Sequence, residues 1–195
     1  MTWKERLTNV LEPVLRERDP RPKVSAYHNL PYAIFQYDAE DELDVRREIE
    51  NLRARLELGG KLGGKRVTVI SLAECMAESL AAVGVTAEML ADGENNAGAD
   101  ALIDTVAQIL ASDAPLDAIV ESRVPKDATP EGDVVFLTRA GSLFPFYRTS
   151  ALLERMMGTA GIPAVLFFPG RREGPAGLAF MGVLDADHHY RARIF

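Results

Sequence analysis

Two hydrophobic rhythms alternate along the chain, and their alternation predicts a layered fold. Trp3, Leu7, Val10, Leu11, Val14 and Leu15 recur at helical spacing, and Thr2 with Glu5 forms a capping-box pattern, so a first helix is predicted to about Arg18. Asp19-Pro20-Arg21-Pro22 stops it, and the aperiodic stretch to Pro31 reads as a loop. Tyr32 to Tyr37 reads as a strand, after which Val45, Ile49, Leu52 and Leu56 mark one face of a long helix. That helix carries Glu40, Asp41 and Glu42 early and Arg46, Arg47, Arg53 and Arg55 later, the order its dipole favours.

Past a Gly59 to Lys65 turn, Val67 to Ile70 is a short apolar strand followed by a helix over Leu72 to Val83. Helical stretches are predicted at Thr86 to Leu90 and Asp100 to Leu110, separated by a loop at Gly93 to Gly98, with a short helix at Pro115 to Val120. Val134 to Leu137 and Ala164 to Phe168 read as buried parallel strands, separated by a helix over Phe144 to Met157 that Gly158 ends. Leu178 to Leu184 and Tyr190 to Phe195 are expected to close the chain as an antiparallel pair. The sum is an α/β fold of three layers, a mostly parallel sheet flanked by helices with a C-terminal antiparallel hairpin.

Composition changes this picture little. With 195 residues, 47% of them hydrophobic and 26% charged, folding should bury about 70% of the extended-chain surface. A single domain over 1–195 is expected, with 1–31 as its N-terminal helix and loop. The lone Cys75 lies in a helical Ala/Leu-rich stretch and reads as core filler in a reducing compartment. The amphipathic start and the shortness of every apolar run point to a cytoplasmic protein with no membrane partner. A formal charge of −7 argues against a protein that coats nucleic acid, although Arg171-Arg172 and Arg191/Arg193 keep direct DNA contact as a lesser alternative.

Candidate chemistry is sparse. Gly59 to Arg66 nearly spells a phosphate-binding loop, but it leaves a helix and enters a strand, so the expected reading is a helix-to-strand turn. Asp38 ends the first strand, where open α/β sheets place ligands, and is equally the natural N-cap of the next helix. Ser142 follows the third strand and Arg171 the fourth, so both are candidates for one crevice with Asp38 that would suit an anion or nucleotide. Ser142 reads equally well as a cap, and the arginines as solvated surface. His28, His188 and His189 lack metal-ligand spacing, no catalytic triad or paired acid is legible, and no cofactor is expected.

Several segments together resemble one family. Asp133 to Thr138, Gly141-Ser142-Leu143-Phe144-Pro145-Phe146-Tyr147-Arg148, Val165 to Gly170 and His189-Tyr190-Arg191-Ala192-Arg193 are similar to the BrxB family, as is the Tyr37-Asp38 junction with Glu42. Arg139 stands where the family pattern has a small residue. The resemblance implies a bacteriophage exclusion (BREX) phage-defence component that works beside the PglZ phosphatase-like protein, a large ATPase and a DNA methyltransferase. It brings no catalytic residues with it. The expectation is therefore a non-enzymatic adaptor that binds PglZ or the ATPase, with Phe144, Tyr147 and Arg148 as its candidate interaction surface. The alternative is a small-anion or nucleotide binder using Asp38, Ser142 and Arg171.

Overall fold

The computed structural model describes residues 1–24, 31–59, 64–156, 161–174, 177–183, 185–188, 190 and 192–195. His28, Gly158, His189, Arg191 and the middle of the glycine-rich turn, 60–63, lie outside the described residues.

Among the described residues there are six strands: β1 (Tyr32–Tyr37), β2 (Arg66–Ser71), β3 (Asp133–Thr138), β4 (Ala164–Glu173), β5 (Gly177–Phe180) and β6 (Arg193–Ile194). The sheet runs in the order β2-β3-β4-β1-β6, all parallel, and β5 pairs antiparallel with the distal half of β4. The continuous apolar runs of β1, β3 and β4 are buried on both sides because helices cover both faces.

Strand alternation sorts the core into two clusters. Ala33, Phe35 and Tyr37 with Val165 and Phe167 face one layer, whereas Tyr32 and Ile34 with Ala164, Leu166 and Phe168 face the other. On the first face lie α1, a continuous helical run of Trp3–Arg6, a π-helical Leu7–Leu11 and Glu12–Leu15, the short α2 (Arg21–Val24), and α3 (Glu42–Glu57). Leu7, Leu11 and Leu15 of α1 and Val45, Leu52 and Leu56 of α3 are almost wholly buried there, each worth about 1.5–3 kcal/mol of apolar burial. The second face carries α4 (Leu72–Ala82), α5 (Ala87–Ala97), α6 (Ala99–Gln108) with its π-helical extension Ile109–Asp113, α7 (Leu116–Ser122) and α8 (Thr149–Arg155).

Three local expectations need correction. The Gly93 to Gly98 segment is no loop: α5 continues to Ala97, since Gly93 lies against Leu102 of α6 and that pairing outweighs the turn-forming Gly-Asn-Asn sequence. No helix runs from Phe144 to Met157. Pro145 holds Phe144 in an extended conformation (φ −74°, ψ 136°), so a 3-10 turn at Ala140–Leu143 and the separate α8 flank a non-helical stretch. The antiparallel hairpin is formed by β4 and β5, and the chain end turns elsewhere, β6 running parallel beside β1 with Phe195 N–H donating to Ile34 O at 2.8 Å.

Candidate functional site

β1 leaves the sheet into α3 on one face, whereas β2 and β3 leave it into helices on the other. The change of side falls where β1 adjoins β4, the place where open α/β sheets form ligand crevices. A crevice of about 170 Å³ opens there, at the C-terminal end of β1 and along β4 beyond it, between Asp38, Ala39 and Glu40 and, opposite, Gly170, Arg171, Met181 and Gly182.

Backbone geometry shapes its walls. β4 stays parallel to β1 through Pro169, then changes partner to β5, and Gln36 Nε2 donates to Gly170 O at 2.6 Å across the junction. Only glycine fits at 170, because a Cβ would fall 2.3 Å from Ala179 O and 2.5 Å from the Phe168 ring. Met181 takes a left-handed φ of 54°, and Gly182 follows at 68° to turn the chain back over Arg171.

Asp38 occupies the position before the 3-10 turn Ala39–Asp41, yet its side chain makes no capping bond, so the carboxylate stays with the crevice. Arg6 reaches over from α1, stacks 5.4 Å above Phe35 and donates to Phe195 O at 2.9 Å and Gln36 O at 2.7 Å. Burial lowers its pKa, Asp38 opposes that shift and Arg172 adds to it, which places these charges within electrostatic reach of one another. Asp38 and Arg171 are thus brought together. Ser142 is not a lining residue: its hydroxyl donates to Arg139 O at 2.8 Å, and Gly141 beside it abuts Met181 and Pro169. Arg139 sits at a left-handed φ of 58°, with a buried Nε that has no hydrogen-bond partner among the described residues.

The Phe144 to Arg148 segment turns mostly inward. Phe144 packs edge-on against Phe180 at 5.8 Å, and Tyr147 is 7% exposed, whereas Arg148 is exposed and lies 3.9 Å from Asp187. The next residues fasten the C-terminal segment, as Thr149 shares a 2.8 Å hydrogen bond with the Tyr190 hydroxyl and Ser150 donates to Asp187 at 2.6 Å. Tyr190 also meets Phe168 edge-on at 5.7 Å, and burial pushes its pKa up to about 12.

Lys65 and Cys75 carry no accessible chemistry. The Lys65 ammonium is buried at the opposite end of the sheet and donates to Arg18 O at 3.0 Å and to Glu131 O. That fits a helix-to-strand turn, with the Lys65 ammonium committed to backbone carbonyls. Burial holds the Cys75 thiol neutral, its pKa raised to about 11. A second cavity, of about 350 Å³, lies at the N-terminal ends of β1, β3 and β4, with Tyr32, Val135 and Ala164 in its floor and Glu121 and Lys126 at its side. Sequence reading misses it because widely separated segments build it. Among the described residues no group of three His, Cys, Asp or Glu side chains could hold a metal ion, and no helix is long and apolar enough to cross a membrane.

Comparison with known proteins is specific. The family model described as "BREX protein BrxB" matches residues 68–194. A curated relative, "BREX protein BrxB" of Bacillus cereus (strain H3081.97), is 29% identical over 189 residues, spanning 96% of this chain and 94% of the relative. No solved structure matches.

Proposed function

The chain belongs to the BrxB family, a component of BREX phage defence, and from that premise we propose that it acts as a cytoplasmic, non-enzymatic adaptor that binds the PglZ phosphatase-like protein or the BREX ATPase. The observation that carries the reading is where the motif residues and their chain neighbours go. Phe144, Thr149, Ser150 and Tyr190 spend their rings and hydroxyls on Phe180, Asp187, Phe168 and one another, building a rigid wall. Residues used in this way supply a platform, and the exposed Arg148 beside them is the part of the Phe144, Tyr147 and Arg148 surface open to a partner. Co-expression of tagged protein with PglZ, the ATPase and the methyltransferase tests this. One of them should co-elute in stoichiometric amount at mild salt; a protein that elutes without any of them overturns it.

A second reading rests on Arg171, which lines the crevice with Asp38 and Glu40, and on Arg6 and Arg172, which lie within electrostatic reach of one another beside it. It takes a small anion. At about 170 Å³ the crevice is smaller than the roughly 300–1,000 Å³ of pockets that enclose drug-sized ligands, so phosphate or a carboxylate is the ligand its size suits best. Thermal unfolding with phosphate separates the cases, since ligand at 100 times its Kd adds about 2.7 kcal/mol. No shift in wild type, or the same shift in Arg171→Ala, retires this reading.

A further inference from the structure

The second cavity, of about 350 Å³, lies at the N-terminal ends of β1, β3 and β4, away from the Asp38 crevice at the other end of β1. Its volume falls within the roughly 300–1,000 Å³ of sites that enclose small molecules. Tyr32, Val135, Met156, Ile162 and Ala164 form its floor, each 5% exposed or less. The Tyr32 hydroxyl donates to Met156 O and so fixes the start of β1 to the end of α8. The amides of Val135 and Ala164 donate to Pro163 O at 2.9 Å and to Pro31 O at 2.8 Å. A floor held in this way is preformed and apolar, so recognition of charge falls to the cavity's side.

That side carries two charges of opposite sign. From Asp117 to Asp133 the charged side chains form ion pairs, with two exceptions. Asp117 lies 3.6 Å from Arg155, Arg123 holds Glu74 and Glu78, Asp127 and Asp133 share Arg66, and Glu131 lies 4.0 Å from Arg21. The exceptions are Glu121, near the end of α7, and Lys126, in the loop that follows, and both line this cavity. Neither side chain forms an ion pair or a hydrogen bond among the described residues. A carboxylate and an ammonium that border one cavity without neutralising each other each need a counter-charge, and a single zwitterion supplies both.

We infer that this cavity binds a free apolar α-amino acid, its ammonium at Glu121, its carboxylate at Lys126 and its side chain on the floor of β1, β3 and β4. The pairing of charges excludes other ligands. A monoanion would meet Lys126 but be repelled by Glu121, and a monocation the reverse. A neutral apolar molecule would cover the floor and leave both charges without a partner, whereas glycine would meet both charges and leave the floor bare.

Calorimetric titration of the full chain with L-phenylalanine and L-leucine to about 10 mM reaches tenfold above a Kd of about 1 mM, and at least one of them should bind saturably. Phenylpropionate lacks the ammonium, phenethylamine the carboxylate, glycine the side chain and N-acetylphenylalanine amide both charges. Each should bind about tenfold or more weakly than the intact amino acid. Glu121→Gln should weaken binding about tenfold, and Lys126→Gln, whose ammonium is exposed, about threefold. Ala128→Phe, which fills the cavity, should abolish it. Unfolding midpoints first establish that the variants fold; Glu121→Gln changes no volume and decides the matter if Ala128→Phe does not. In NMR spectra of the titrated protein the amides of Glu121, Val135 and Ala164 should shift. No saturable heat with either amino acid overturns the proposal, as does unchanged affinity in Glu121→Gln, or amide shifts confined to residues outside the cavity. N-acetylphenylalanine amide bound as tightly as phenylalanine overturns it in favour of an apolar side chain of a partner protein as the occupant.

Discussion

Glu12 is 7% exposed between two arginines, with one carboxylate oxygen 2.8 Å from Arg16 and the other 2.9 Å from Arg55, which also holds Glu48. This network fastens α1 to α3. Removing one partner of a fully buried pair costs about 3–5 kcal/mol, and because both arginines are about one-third exposed, Glu12→Gln should cost nearer 2 kcal/mol. Urea unfolding reads this directly, and an unchanged midpoint would show that water replaces Glu12 without loss. Tyr190 makes the alkaline counterpart. Its folded pKa is raised, chiefly by burial, from 10.0 to about 12, so the folded state holds the proton that the unfolded chain releases. The resulting stability is whole below pH 10 and is lost as pH climbs towards 12, by up to roughly 2–3 kcal/mol. Tyr190→Phe should flatten that decline; an equally steep decline in the variant would assign it to other groups.

At the scale of elements, β4 has two halves with different partners, and Gly170 is where they meet. Gly170→Ala should cost about 3 kcal/mol by crowding, because the new Cβ meets Ala179 O, which is backbone and cannot swing aside. A melting temperature within a degree or two of wild type would mean the hairpin yields. The strands were legible in sequence because burial on both faces writes an uninterrupted apolar run, as in Val134 to Leu137. Pairing was less legible. Tyr190 to Phe195 alternates like an edge strand, but nothing in that alternation distinguishes β1 from β5 as its neighbour. Gly93-Glu94-Asn95-Asn96 carries turn chemistry that contact with α6 overrides, and Pro145 is the sequence signal against a helix across Phe144 to Met157. Asp38 and Arg171 meet at one crevice because both follow the ends of adjacent strands, whereas the Ser142 hydroxyl closes its own turn and lies outside that lining.

The whole molecule joins two unlike surfaces to one interior. Arg6, Arg171 and Arg172 gather near the Asp38 crevice, whereas α5 and α6 carry carboxylates without a cation. Charge that is separated in this way orients a molecule as it approaches a partner and loses that effect as salt screens it beyond about 10 Å at 0.1 M. Beneath both surfaces, Phe167 meets Phe35 at 5.7 Å and Phe136 at 5.2 Å from the middle of β4.

That strand has a neighbour on each side and a hydrophobic cluster on each face. Its amide protons therefore have no local route to solvent. In deuterium the amides of Val165, Leu166 and Phe167 should be the last to exchange, at the rate set by opening of the entire protein, while α5 labels early. Uniform labelling would show that the centre of the sheet opens piecemeal. If the order holds, those three amides give a direct gauge of global stability, and of its increase whenever something binds.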